Sequence, residues 1–453
     1  MPREIITIQV GQCGNQLGYG FWDLLLREHA ERCKAPIFND ALSSFFKNVD
    51  SSSGQILKPG DKGYKNIQDL KARAVVVDME TGVINHMLKT KLGEIFDTQQ
   101  FVYDVSGAGN NWAHGFGEYG PKYREMLANS IRKTAEECNS LQSFFLLHSL
   151  GGGTGSGLGS YILTMLADYF PEVFKFTASV FPSADDDVNI SPYNSLLACS
   201  KLVEYADCVL PIDNDALLKI VSKNVTGDKE KSKKEAYADV NGLIAHLLSN
   251  LTCSMRFPGS LNIDMNEITM NLVPFPRMHF LLSSMSPLQT FINPKTAPRS
   301  LDQMFLDTLS RDNFLIDCTS QNQRYIALAY MIRGDVSFSD VSRNIEKISQ
   351  KVRLIDWNSE GFKYGICSMP SIGNQRSILS LANNTAFSDV LDKMANRFKK
   401  LYSKKVYVHH YTQYMEESIF TEGFHTIDSL RKEYIGLQNW TDDKETQRFK
   451  PLF

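Results

Sequence analysis

Phe144-Phe145-Leu146-Leu147-His148-Ser149-Leu150, followed at once by Gly151-Gly152-Gly153-Thr154-Gly155-Ser156-Gly157, is the stretch that decides the fold. The first part is a continuous apolar run of strand length. After the glycines, Leu158, Ile162, Leu163 and Leu166 fall at helical spacing, so the chain reads strand, glycine turn, helix. Phosphate oxygens need backbone N–H donors at close range, and glycine lets the chain approach without a Cβ in the way. Thr154 and Ser156 add hydroxyl donors. A flexible Gly/Ser linker is the competing reading, and the placement between a buried strand and an amphipathic helix argues against it.

The same unit recurs upstream. Ile5-Ile6-Thr7-Ile8-Gln9-Val10 runs into Gly11-Gln12-Cys13-Gly14-Asn15-Gln16, then a helical stretch through Trp22, Leu25 and Leu26. Ala74-Val75-Val76-Val77 ends in Asp78-Met79-Glu80, and Phe101-Val102-Tyr103-Asp104-Val105 leads into Ser106-Gly107-Ala108-Gly109-Asn110. Apolar strands alternating with helices predict an α/β fold, a doubly wound parallel sheet covered on both faces. Ligands of such sheets lie outside the carboxyl ends of the strands, where these turns collect.

No GxxxxGK[ST] occurs, which excludes a Walker-type loop and its phosphate lysine. Gly115 to Gly120 spells GxGxxG, but Pro121 follows it and no strand runs into it, so it reads as coincidence. Asp78 and Glu80 lie on one face of a strand end because the strand period is two. Two readings stand level there: carboxylates holding magnesium partly through water, or a cap formed by Asp78.

Composition bounds the rest. At 453 residues the chain is long enough for roughly three domains. It is 43% hydrophobic, with 48 Lys+Arg against 51 Asp+Glu, so no bulk electrostatic footprint for nucleic acid is present. The eight cysteines form no CxxC pair, which fits reduced thiols better than a zinc site or disulfide frame. No apolar run approaches the ~18 residues of a spanning helix, and Met1-Pro2-Arg3-Glu4 runs straight into a strand without a signal peptide.

Further on, an exposed loop is expected between Val49 and Leu70, and a solvated loop through the mixed charges of 228–235. Apolar residues at 240, 243, 244, 247, 248 and 251 predict a buried helix from Val240 to Met255, leading to a second domain from about Phe257. Phe387 to Tyr402 and Met415 to Tyr434 read as two later helices, and the end from Asn439 is polar.

The three glycine turns together resemble the signature loops of the tubulin family. The run at Gly151 is shared with the bacterial FtsZ relatives, whereas Gly11 to Gln16 and Ser106 to Ala113 are similar to tubulins alone. The likeness continues through Ser191-Pro192-Tyr193-Asn194, Asn271-Leu272-Val273-Pro274-Phe275-Pro276 and Met415-Glu416-Glu417. Phe21 to Leu24, Arg27 to Ala30, Phe45 to Asp50 and Leu301 to Phe305 resemble the epsilon class more than alpha or beta.

This resemblance implies a GTP/GDP site with Mg2+. Gly11, Gln12 and Cys13 would lie at the phosphates and Gln16 beside the guanine. Ala108, Gly109 and Asn110 would meet the phosphates from a second side, and Ser149 with Gly152, Gly153, Thr154 and Gly155 from a third. Asp78 and Glu80 would sit at the magnesium, Asp187 at the ribose, and Asn214, Tyr237 and Asn241 around the guanine. Where alpha and beta tubulins place a glutamate for the ribose, this chain has Ser191, whose hydroxyl bonds more weakly than a carboxylate; Asp185, Asp186 and Asp187 crowd the same loop.

Asp264 and Glu267, three apart, spell a capping box. The resemblance instead implies the loop that a neighbouring subunit inserts against the nucleotide, with Glu267 as the catalytic carboxylate and Asp264 placing the water. The implied division is a GTP-binding domain at 1–221, linker and core helix at 222–256, an intermediate α/β domain at 257–385 and a C-terminal helical hairpin region at 386–453. The implied role is a cytoskeletal protein of cytoplasm and centrosome, centriole or basal body. It would hydrolyse GTP on longitudinal contact with other tubulins at centriolar or basal-body microtubules, without nucleic acid or membrane insertion. The alternative is a GTP-binding, non-polymerising assembly factor without significant hydrolysis. A dinucleotide oxidoreductase is the outsider. Two features temper polymerisation: the segment Ser283 to Arg299 holds three prolines, and the tail after Asn439 is not acidic.

Overall fold

The computed structural model describes residues 3–183, 186, 188–224, 233–288, 299–318, 323–359 and 361–440. The strands are β1 Glu4–Val10, β2 Phe46–Val49, β3 Asp69–Ala72, β4 Ala74–Asp78, β5 Phe101–Tyr103, β6 Leu141–Ser149, β7 Phe174–Phe181 and β8 Cys208–Asp213. β9 Gly259–Leu261, β10 Leu281–Ser286, β11 Tyr325–Gly334, β12 Phe362–Cys367 and β13 Arg376–Asn384 follow.

Six of these form one sheet in the order β5-β4-β1-β6-β7-β8, every pair parallel. The chain winds outward from β1 to β5 on one side and from β6 to β8 on the other. The strand order therefore reverses between β1 and β6, the place where a doubly wound sheet opens a crevice.

The period of two sorts the side chains as expected. Ile6, Ile8, Val10, Val75, Val77, Phe144 and Leu146 pack into one core, with the helices Gly159–Tyr169 and Ser191–Tyr205 and the two C-terminal helices. Ile5, Ala74, Val76, Phe145 and Leu147 face the other way, against the first helix, Gly11–Arg32, and the core helix, Lys233–Arg256. Each fully buried aliphatic or phenyl side chain contributes about 1.5–3 kcal/mol.

The second sheet is mixed, in the order β10-β13-β11-β12-β9, with β11 and β12 parallel. A buried ion cluster ties it to the first domain: Glu28 of the first helix meets Arg256 of the core helix at 2.7 Å and Arg333 of β11 at 2.9 Å. Burial opposes ionisation of Glu28, but the two guanidiniums override it and hold the carboxyl at about 2. Such a cluster is hard to break, because removing one partner leaves an uncompensated buried charge.

The two late helices span Phe387–Tyr402 and Ser418–Gln438. The core helix starts earlier than its apolar pattern does, because its first visible turns carry the exposed Glu235, Tyr237 and Ala238. The expected loop of 49–70 is partly pinned: β2 pairs antiparallel with β3, and Asn48 Nδ2 donates to the carbonyls of Tyr64 and Asn66. The run 228–235, the proline-bearing segment from Ser283 to Arg299 and the tail after Asn439 lie largely outside the described residues. No helix among the described residues is long and apolar enough to cross a membrane.

Candidate functional site

Each turn follows the carboxyl end of a parallel strand, so the sheet brings them to one edge. Gly11 adopts φ +74°, and a Cβ on it would lie 2.9 Å from the Gly155 nitrogen. A Cβ on Gly153 would lie 2.9 Å from the Ala108 carbonyl, and one on Gly107 would lie 2.8 Å from Glu80 Oε1. The turns after β1, β4, β5 and β6 therefore touch, and only residues without side chains let them do so. This places Gly11, Glu80, Ala108, Gly153 and Gly155 together, with Asn110 and Ser149 within 4 Å of a Cβ built on Gly152. A ring of close-packed backbone amides at strand ends can hold a polyanion.

Asp78 closes β4 and is buried. Its Oδ2 accepts from Asn15 Nδ2 and its Oδ1 from the Glu80 N–H, both at 3.3 Å. Burial pushes this carboxyl up to about 6, against those hydrogen bonds. Glu80 is the exposed member. Among the described residues no group of three or more His, Cys, Asp or Glu could hold a metal alone. The donors fit a magnesium that keeps waters and takes its remaining ligands from phosphate. They do not fit an all-protein metal cage.

Its packing under the turns pushes the Cys13 thiol up to about 12. Gln16 and Asn241 line a largely apolar cavity of about 870 Å³ between the first helix, the core helix and the helix Thr81–Leu88, reaching Arg27 and Gly373. Asn214, at the end of β8, and Tyr237, exposed one turn before Asn241, do not line it. Asp187 and Asp185 lie outside the described residues; Asp186 Oδ2 lies 3.0 Å from a Cβ built on Gly151. Gly115 to Gly120 is packing rather than ligand chemistry. It lies in helical backbone, with Gly115 against the Gly153 carbonyl and Gly120 against the Tyr161 ring.

Two residues beneath the turns carry more than their sequence signalled. His148 is buried, its Nδ1 2.9 Å from the Gly155 carbonyl and its Nε2 2.9 Å from Ser179 Oγ. A carbonyl only accepts, so Nδ1 carries the proton and Nε2 accepts from the serine. Burial lowers this imidazole from 6.5 to about 4. The unfolded chain therefore binds more protons between those values, and stability is lost as pH falls from 6.5 to 4, by about 3 kcal/mol. Urea unfolding across that range should show a shallower acid slope in His148→Gln than in the wild type; equal slopes would contradict this assignment.

Asn194 is the second. Its Nδ2 donates to the carbonyls of Asn110 and Gly151 at 2.6 and 2.8 Å. Its Oδ1 accepts from the Trp112 N–H at 2.9 Å and the Tyr411 hydroxyl at 2.6 Å. It closes the Ser191–Asn194 motif of the family likeness, but its bonding role does not show in the local pattern, since its partners lie 43 to 217 residues away.

Asp264 and Glu267 stand elsewhere. Asp264 pairs with Arg3 at 3.0 Å, which precedes β1 and so marks the amino ends of the strands. β1 has seven residues, which separates that end from the glycine turns by about 20 Å. The capping box forms: Asp264 Oδ1 accepts from the Glu267 N–H at 2.8 Å, and the Asp264 N–H donates to Glu267 Oε2 at 3.3 Å. Glu267 is exposed at the start of the helix Met265–Leu272. The same helix carries Met270, 75% exposed, and Phe275 and Trp357 pack edge to face nearby in the chain's fold while both stay exposed.

Comparison with known proteins agrees with this architecture. Residues 4–222 match the Tubulin/FtsZ family GTPase domain and residues 276–396 the tubulin C-terminal domain. The chain is 46% identical over 457 residues to the tubulin epsilon chain of Mus musculus, covering 96% of both chains. It is 46% identical to that of Homo sapiens over 455 residues, 95% of each. Identity to the nucleomorph tubulin beta chain of Guillardia theta is 33% over the full length of both. With a parallel sheet whose glycine turns meet at its switch point and two tubulin domains along its length, the chain belongs to the tubulin family, with epsilon-chain relatives.

Proposed function

We propose that this chain binds GTP at the turns of β1, β4, β5 and β6 and hydrolyses it only when another subunit stacks on that end. The placement of Glu267 carries this reading. It sits at the opposite end of the sheet from the glycine turns, out of reach of its own nucleotide site, which supports a role at the nucleotide of a neighbour. Head-to-tail contacts of this kind are heterologous and build lines of subunits. The exposed Met270, Phe275 and Trp357 supply apolar area for that contact.

In this reading the amides of Gly11 to Cys13, Ala108 to Asn110 and Gly152 to Gly155 neutralise the phosphates, with Gln12, Ser149 and Thr154 adding side-chain donors. Gln16, Asn214 and Asn241 hold the guanine edges and Tyr237 its face. Asp186 and Asp187 supply ribose contacts that Ser191 lacks. Glu80, with Asp78 behind it, holds magnesium, which draws charge from the phosphates when bound. Glu267 of the stacked subunit takes a proton from the water that attacks the terminal phosphate as its bond to the GDP oxygen breaks, and Asp264 places that water. Phosphoryl transfer depends chiefly on such positioning and charge stabilisation.

We assign the modules as 1–221, 222–256, 257–385 and 386–453, and place the protein in cytoplasmic microtubule structures at centrioles or basal bodies, as the family resemblance implies. One observation favours the second reading, a structural GTP ligand without hydrolysis: the capping box already engages both Asp264 and Glu267. Purification without added nucleotide, followed by chromatography of the released ligand, tests the proposal. Monomer should yield intact GTP, with phosphate release rising with the assembled fraction. GDP from monomer refutes the split site.

A further inference from the structure

The central strand β1 joins two ends of the molecule. Its carboxyl end runs into the first glycine turn, where Gly11 adopts φ +74°. At its amino end stands Arg3, whose Nη1 lies 3.0 Å from Asp264 Oδ2. That end of the strand is firmly held. Glu4 is buried, its Oε1 accepting from Arg73 Nη2 at 2.8 Å and its Oε2 from the Ser140 N–H at 2.7 Å. The Glu4 N–H donates in turn to the Ser140 carbonyl at 3.2 Å. Arg3 therefore reaches Asp264 from a fixed base.

The helix that follows Asp264 is tied to both sheets. Met265, Ile268 and Leu272 bury one face of it in the core that also holds Ile5 and Leu381. Asn383 of β13 donates its Nδ2 to the Leu272 carbonyl at 2.8 Å, which fastens the far end of the helix to the second sheet. Arg3 fastens its start to the first. Glu267 lies between these two anchors.

A helix cap does not need the contact with Arg3. Asp264 Oδ1 accepts from the Glu267 N–H, and the Asp264 N–H donates to Glu267 Oε2, so the capping box is complete without Oδ2. The terminal torsion of an aspartate is broad. A carboxylate held through one oxygen swings about that bond, whereas one held through both oxygens does not. Arg3 occupies the second oxygen. A carboxylate has about four acceptor positions, so two remain for water, and Asp264 is 13% exposed, which lets water reach it. Arg3 itself is half exposed, and an ion pair with so exposed a member adds little to stability. Its effect is on geometry.

We infer that Arg3 is a positioning residue for the split site: it fixes the Asp264 carboxylate, and through the capping box Glu267, in register with the central strand of the sheet. This inference rests on the reading that Asp264 and Glu267 act on a neighbour's nucleotide. The half-site a subunit offers and the half-site it keeps are then mounted on the two ends of one strand, about 20 Å apart. Arg3 acts on the reaction only through Asp264. It keeps the water-placing carboxylate from swinging, and a misplacement of about 1 Å costs on the order of 10²-fold in rate.

Phosphate release per assembled subunit at saturating GTP, measured on the full chain, tests this. Arg3→Gln should slow release about tenfold, part of the loss that misplacement brings. Its monomer should bind GTP within about twofold of wild type, since Arg3 stands about 20 Å from the turns. Arg3→Lys keeps the charge on a long stem and should stay within about threefold of wild type. Asp264→Asn keeps an oxygen for the cap and slows release by itself. In that background Arg3→Gln should have no further effect, because the route through Asp264 is already cut. If Arg3→Gln does not fold, Arg3→Lys in the two backgrounds carries the same comparison. Wild-type release in Arg3→Gln, no recovery with lysine, or an equal loss in both backgrounds overturns the inference and leaves the split site standing. No rise in release when the wild type assembles overturns the split-site reading, and the inference with it.

Discussion

Replacing Gly11 by Ala should weaken GTP binding by roughly 100-fold, while Gly54→Ala leaves it unchanged. Both glycines sit at positive φ, +74° and +68°, so both substitutions carry the same kind of backbone strain. They differ in what a Cβ meets. At Gly54 nothing lies within 4 Å, whereas at Gly11 the Gly155 nitrogen is 2.9 Å away and the Gly155 Cα 3.2 Å. Both are backbone atoms of the facing turn, which cannot swing aside as a side chain would. The turns must part, and the amides of one or both no longer point at a common centre. Losing one or two amide hydrogen bonds to charged phosphate, at roughly 1.5–3 kcal/mol each, gives the hundredfold figure at 1.4 kcal/mol per decade. Equilibrium binding of GTP to both variants, with thermal melts to show that each is folded, measures it. Binding to Gly11→Ala within twofold of wild type would mean that these turns do not form the phosphate site.

Glu267→Gln should reduce assembly-stimulated phosphate release by about 10²–10⁴-fold, the range expected when a positioned general base is lost. Binding of GTP to the monomer should stay within twofold, because Glu267 is about 20 Å from the turns of its own chain. Glutamine is the informative replacement. It occupies the same position of the capping box and can accept the Asp264 N–H, so the helix Met265–Leu272 keeps its start. Only the capacity to take a proton is lost. A variant that releases phosphate as fast as wild type on assembly would leave Glu267 with its capping role alone, and the chain would be a structural GTP binder.

The glycine turns, the strands leading into them and the two late helices were legible because they are local patterns. A strand shows itself in five or six residues, a helix face in a dozen, and a turn that must admit another backbone in its glycines. The family likeness was legible for the same reason, since its motifs are contiguous. The start of the core helix before Val240 was not, because Glu235, Tyr237 and Ala238 are exposed there and set no apolar period. The exposed loop of 49–70 was legible, but its pinning was not, because the fixing bonds from Asn48 leave no composition signal.

Sequence by itself thus determined which strands run into glycine turns and that three such turns bear the composition of an anion cradle; that Asp264 and Glu267 cap a helix was decided by the structure. Tertiary structure alone decided that the turns touch at the switch point between β1 and β6, that Glu267 lies at the far end of the sheet, and that Asn194 joins two turns to Tyr411. The physical reason is that parallel strands pair through long crossovers whose length does not fix which strands become neighbours. Their order is set by which apolar faces can be buried together across the whole domain, so no local window of the chain contains it.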